Sequence, residues 1–144
     1  MAENIKLPSK IVVDASVVLA LLLPDEKVKP KIVKILEQYS QGKLDLVSTQ
    51  LLDFEVLNGI KTAILRKRIS KEIAKKIVSH FFRLKIQRKK IDFRITFNYS
   101  LKLSISIYDA GYLALAKKTK LSLATADKNL FQKGKKELKN IVFL

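Results

Sequence analysis

Ile11-Val12-Val13-Asp14-Ala15-Ser16 is the stretch on which the reading of this chain turns. Three β-branched apolar residues run into a carboxylate, and a second apolar run, Val17 to Leu23, follows at once. The pattern predicts a short buried strand that carries Asp14 at its C-terminal tip, then the first turns of a helix. In open α/β folds, ligands bind where parallel strands end and helices begin. The placing of the other acids relative to Asp14 therefore decides what the chain can do.

Outward from this stretch, Ala15 to Leu23 reads as a short, nearly all-apolar helix stopped at Pro24, so it must be buried on most sides. A second helix is predicted from Val28 to Tyr39, with Ile32, Val33, Ile35 and Leu36 inward, and Leu44 to Val47 as a strand after Gly42. Ser48 or Thr49 is the expected cap of a helix reaching Arg68, striped by Leu52, Val56, Ile60, Ala63 and Ile64. Ser70 opens the next helix, with Ile73, Ile77, Phe81 and Leu84 along one side. Ile91-Asp92-Phe93 is read as a strand, followed by a helix over Thr96 to Leu103 and another opening at Tyr108-Asp109, with Tyr112, Leu113, Leu115 and Ala116 inside. Lys120 to Thr125 is a strand, Asp127 to Leu138 the last helix, and Ile141 to Phe143 the last strand. This alternation predicts an α/β fold with a mainly parallel central sheet and helices on both faces.

A chain of 144 residues, 48% apolar with only 4 Gly and 3 Pro, is expected to be one domain spanning 1–144, without linker or repeat. Its 29 Lys+Arg against 13 Asp+Glu give a net charge of +16, which suits a polyanionic partner. The charge is densest from Lys61 to Arg94, where 13 basic residues face only Glu72 and Asp92. With no Cys and a lone His80, disulfides, thiolate metal sites and His-rich metal sites are excluded. Asp14 and Ser16 break the N-terminal apolar run, so it does not read as a secretory signal. No apolar stretch approaches the roughly 20 residues of a spanning helix. The expected setting is the cytoplasm, with no membrane contact.

Three acids fall at strand–helix junctions or helix starts: Asp14, Asp109 after Ile105-Ser106-Ile107-Tyr108, and Asp127 after Leu123-Ala124-Thr125-Ala126. A single junction Asp is commonly a helix N-cap, worth about 1 kcal/mol. Several acids brought to one edge repel one another unless a cation sits between them. Hard divalent cations take oxygen ligands of this kind. A carboxylate cluster in a basic protein thus points to metal-dependent chemistry on a polyanion.

Four blocks in order, Val13-Asp14-Ala15-Ser16, Glu55-Val56-Leu57-Asn58-Gly59, Tyr108-Asp109-Ala110-Gly111-Tyr112-Leu113-Ala114-Leu115-Ala116 and Ala124-Thr125-Ala126-Asp127, resemble the signature of PIN-domain ribonucleases. Size and layout are most similar to the toxins of VapBC-type toxin–antitoxin pairs. The resemblance covers essentially the whole chain and implies a three-layer α/β/α fold with an acidic pocket for Mg²⁺ or Mn²⁺. By motif, Asp14, Glu55, Asp109 and Asp127 would be the catalytic acids, and Asp14, Asp109 and Asp127 the metal ligands. Ser16, Asn58 and Thr125 would be supporting polar groups. Gly111 departs from the pattern, where a bulky apolar residue is more usual, and is expected to loosen the packing behind the pocket. Helical spacing by itself puts Asp53, not Glu55, near the middle of the apolar stripe, because two residues turn about 200°.

The implied activity is metal-assisted hydrolysis of RNA phosphodiesters, with a cognate antitoxin and a second copy of the chain as partners. Two alternatives stand beside it: a housekeeping RNA-processing nuclease, and a catalytically silent nucleic-acid-binding protein on the same fold.

Overall fold

A computed structural model describes residues 8–25 and 29–144. Five strands, β1 (Lys10–Val13), β2 (Asp45–Thr49), β3 (Ile86–Lys89), β4 (Leu123–Thr125) and β5 (Ile141–Phe143), form one all-parallel sheet in the order β3-β2-β1-β4-β5. Seven helices among the described residues complete the chain: α1 (Ala15–Leu22), α2 (Pro30–Ser40), α3 (Leu52–Leu65), α4 (Lys71–Arg83), α5 (Phe93–Leu103), α6 (Ile107–Thr119) and α7 (Lys128–Gly134). The architecture is the expected three-layer α/β/α sandwich.

The strand order fixes where a site can form. From β1 the sheet grows one way through β2 and β3, and the other way through β4 and β5. Neighbouring connections therefore diverge between the C-terminal ends of β1 and β4, and the divergence opens a crevice there. The β1 register, Val12 to Leu123 and Val13 to Ala124, sets Asp14 beside the end of β4. Ile11, Val12 and Val13 are all fully buried, as expected for a central strand covered on both faces. Ser48 extends that seal, donating from its buried hydroxyl to the Val13 carbonyl at 2.7 Å.

Several local expectations change. Ser48 and Thr49 belong to β2, and α3 starts at Leu52 with Leu51 at its N-cap and no side-chain cap bond. Pairing of Ser48 with Arg88 and Thr49 with Lys89 draws both residues into the sheet, which overrides their capping preference. The strand read at Ile91–Phe93 lies earlier, at Ile86–Lys89, and Asp92 instead caps α5 by accepting from the Arg94 and Ile95 amides. β3 is an edge strand with alternating exposure, so its polar sequence hides its pairing. Ile73 is largely exposed, and Ala74, Ile77 and Phe81 form the inner face of α4. The last helix is shorter than predicted and ends at Gly134. The predicted helix start at Val28 lies outside the described residues.

Gly111 does not loosen the packing. It is buried on α6, and a Cβ there would lie 3.0 Å from the Ile91 side chain, which already fills the space. Phe81, fully buried beneath α4, also carries the Arg88 guanidinium 5.3 Å from its ring centroid. Phe81→Ala should therefore destabilise the protein by about 3–5 kcal/mol in urea unfolding, because the sheet cannot close the cavity left behind.

Candidate active site

Asp14 is the most constrained side chain of the crevice. It is 2% exposed and caps α1 by accepting from the Val17 amide at 3.1 Å. Ser16 Oγ donates to its Oδ1 at 2.6 Å, and Thr125 Oγ1 donates to its Oδ2 at 2.5 Å. Both hydroxyls are tied in turn to the exit of β4. Ser16 Oγ accepts from the Ala126 amide at 2.8 Å, and Thr125 Oγ1 accepts from the Asp127 amide at 3.0 Å. Burial raises the Asp14 carboxyl above its ordinary value, against the pull of these hydrogen bonds.

The other acids arrive from three further elements. Asp127 caps α7, accepting from the Leu130 amide at 3.0 Å. Asp109 sits in the first turn of α6, one turn beyond the cap Ser106, whose hydroxyl accepts its amide at 3.1 Å. Glu55 projects from the first turn of α3 and accepts a 3.3 Å hydrogen bond from the Tyr112 hydroxyl. Burial, with the charges of Asp109 and Asp14, pushes Glu55 up to about 7. Burial, with the charges of Asp127 and Asp14, pushes Asp109 up to about 6. The charges of Asp14, Asp109 and Asp127 act on Glu55, and those of Asp14 and Asp127 on Asp109, so the four sequence-predicted acids lie near one another.

Asp53 does not join them. It forms an ion pair with Arg88, 2.7 Å from Nη2, on the side of α3 that meets β3. Glu55 reaches the pocket because the crevice lies off the flank of α3, not along the line of Leu52 and Val56 that faces the core. Asn58 is exposed, and no hydrogen bond joins it to the acids among the described residues. Tyr112 was legible only as a core residue. It lies one turn after Asp109, fully buried, with a hydroxyl held between Glu55 and the Ala15 amide. Burial and the Glu55 charge raise its phenol far above the ordinary value, so it remains a hydrogen-bond donor.

The donor set is all oxygen and anionic, which suits a hard divalent cation. Among the described residues no group of three or more His, Cys, Asp or Glu side chains stands close enough together to hold a metal ion as it is.

Residues 11–136 match the PIN domain family. The chain belongs to the PIN-domain family. It is similar to Ribonuclease VapC3 of Pyrobaculum aerophilum, 29% identical over 128 residues that cover 86% of this chain and 94% of that protein. It is also similar to Ribonuclease VapC9 of Mycobacterium tuberculosis, 29% identical over 124 residues that cover 86% of this chain and 91% of that protein. Among solved structures it resembles PAE2754 from P. aerophilum, with a TM-score of 0.66 and 19% identity over 93% of this chain and 88% of that one. The sarcin–ricin-loop-cleaving toxin VapC20 of M. tuberculosis gives a TM-score of 0.57 and 14% identity, covering 86% and 95%. At these identities the solved structures bear on the fold, which is that of a PIN domain.

The raised carboxyls make a pH prediction. Glu55 and Asp109 hold protons in the folded chain above their ordinary values of 4.5 and 3.8, and Asp14 shifts the same way. Their contribution to stability is whole below those ordinary values and is lost as pH rises through about 6 and about 7. In EDTA, the melting temperature should fall between pH 5 and pH 8, and Glu55→Gln should flatten that fall. An unchanged slope in the variant would contradict the coupling.

Proposed function

We propose that this PIN domain, spanning residues 1–144, is a divalent-metal-dependent endoribonuclease and the toxin of a toxin–antitoxin pair, working in the cytoplasm. The convergence of Asp14, Glu55, Asp109 and Asp127 on the crevice between β1 and β4 carries the reading. The ribonuclease names of its relatives agree with it. The other two readings have no observation in their favour.

A bound Mg²⁺ or Mn²⁺ would polarise the scissile phosphoryl group and acidify an attacking water. Asp14, Asp109 and Asp127 are the residues to hold it. Asp14 contributes an oxygen donor whose orientation Ser16, Thr125 and the Val17 amide have already set. Glu55, steadied by Tyr112, is placed to take up a proton near neutral pH. Ser16 and Thr125 act through Asp14, and Asn58 is left as an exposed group that the substrate itself can reach.

Charge draws the substrate in. In the segment from Lys61 to Arg94 every basic residue is exposed except Arg88, which is paired with Asp53. Binding of RNA should therefore weaken steeply as salt rises. The protein partners have surfaces to use. A groove between α3 and α4, floored by Leu57, Ile60, Ile64 and Val78 and rimmed by Lys61, Lys71 and Lys75, suits an acid-rich antitoxin. The exposed Phe93, Phe97 and Leu101 repeat every fourth residue along α5 and suit a second copy of the chain.

Cleavage of single-stranded RNA should need Mg²⁺ or Mn²⁺, stop in EDTA, and fall by more than about 100-fold in Asp14→Asn and Asp109→Asn. Circular dichroism should show both variants folded. Variants that cut as fast as the parent would remove the proposed site. Ser16→Ala should cost about 10–100-fold, since the Asp14 carboxylate remains but loses one of its two hydroxyl supports.

A further inference from the structure

A trough of about 370 Å³ leaves the acidic crevice at Ser16 and Ala126 and runs along α1. Leu19, Ala20 and Leu23 recur on one face of α1 and line it, with Ile32 of α2 opposite. Gly59 and Thr62, one turn apart on α3, form its other wall. Leu19 lies close over Gly59, where an added Cβ would stand 2.5 Å from its terminal methyl and the side chain would have to turn aside. The trough thus sets an apolar strip of Leu19, Ala20, Leu23 and Ile32 against the polar Ser16, Thr62, Lys29 and Arg68.

Its far wall carries a positioned cation. Lys29 Nζ donates to the Leu144 backbone oxygen at 3.0 Å and lies 5.3 Å from the Phe143 ring centroid, so residues beside β5 hold the ammonium at the trough. An ammonium has three donors, and among the described residues only one of them is used. Arg68, also on the wall, is engaged in a bidentate pair with Asp25. The Thr62 hydroxyl makes no hydrogen bond to any described residue and is not sealed from solvent.

We propose that this trough seats the nucleotide adjoining the scissile phosphate of a single-stranded RNA, with Lys29 on its phosphate and Leu19, Ala20 and Leu23 against its base. The inference rests on the ribonuclease reading and extends it to a subsite. Unstacked bases of single strands are recognised by apolar contact and by polar groups at their edges. Thr62 is the group positioned to meet such an edge or a ribose 2′-hydroxyl. Continuity decides for RNA: the trough opens from the crevice itself, sharing Ser16, so a strand whose phosphate lies over the carboxylates must send a neighbour past this mouth.

The test uses methyl-labelled full-length protein in EDTA, titrated with a mixed-sequence RNA tetranucleotide. The Leu19, Leu23 and Ile32 methyl resonances should move and the Val78 resonances should not. Lys29→Glu should weaken binding by at least about tenfold and lower the slope of log affinity against log salt by about one. Lys29→Gln should lower that slope too, which a misfolded charge reversal would not reproduce. Lys139→Glu, the same change of net charge at an exposed position elsewhere, should leave affinity within about threefold. Ala20→Phe should block the trough and raise KM with little change in kcat when Mg²⁺ is restored. RNA binding that leaves the trough methyls still, or a salt slope unmoved by both Lys29 variants, overturns the subsite and leaves the ribonuclease reading standing. A parent protein that neither binds nor cuts RNA overturns both.

Discussion

A buried carboxylate at the end of a central strand is the constraint around which this protein is built. Asp14 has almost no contact with water, and burying a charge is costly unless hydrogen bonds replace the lost solvent. The replacements come from both sides of the point where the sheet diverges: Val17 and Ser16 on α1, and Thr125 on β4. Ser16 and Thr125 then hold the Ala126 and Asp127 amides, so the β4 exit is locked to the β1 exit. Removing any one of these groups would leave a neighbour unsatisfied in a dry environment. The network makes one rigid edge out of two strand ends.

That edge sets two opposed fields side by side. The chain as a whole is strongly positive, with a net charge of +16, and draws in polyanions from a distance. The crevice is locally negative, and its acids already raise one another's affinity for protons. A phosphate arriving there meets repulsion unless positive charge intervenes. Protons can supply it at low pH, and a hard divalent cation is the other positive charge that such oxygen donors suit. Arg88 on β3 is held in its ion pair with Asp53.

Much of this was legible in the chain because the informative elements are central and strongly patterned. Ile11 to Val13 is a fully apolar strand with a carboxylate at its tip, and α6 packs its entire run from Ala110 to Ala116 inside. Edges were harder. β3 has one buried residue, Ile86, and pairs through its backbone, which leaves no periodic mark in the side chains. Ser48 and Thr49 carry a capping composition that sheet pairing overrides. Glu55 was invisible to periodicity for a geometric reason: helical spacing finds the core-facing line of Leu52, Val56 and Ile60, and the crevice lies off that line. Family pattern chose Glu55, and the structure puts Asp53 in an ion pair instead. Tyr112 is the converse case, an apparent core residue whose hydroxyl proves to be aimed at an acid.

The proposal that Asp14, Asp109 and Asp127 hold a cation beside Glu55 is tested most directly by a crystal of the protein soaked in Mn²⁺. The account predicts an anomalous peak in the crevice between β1 and β4, with an oxygen of Asp14 and at least one of Asp109 or Asp127 in its coordination shell. A fully soaked crystal with no peak there, or with manganese bound only at surface acids such as Glu72 or Asp92, would contradict it.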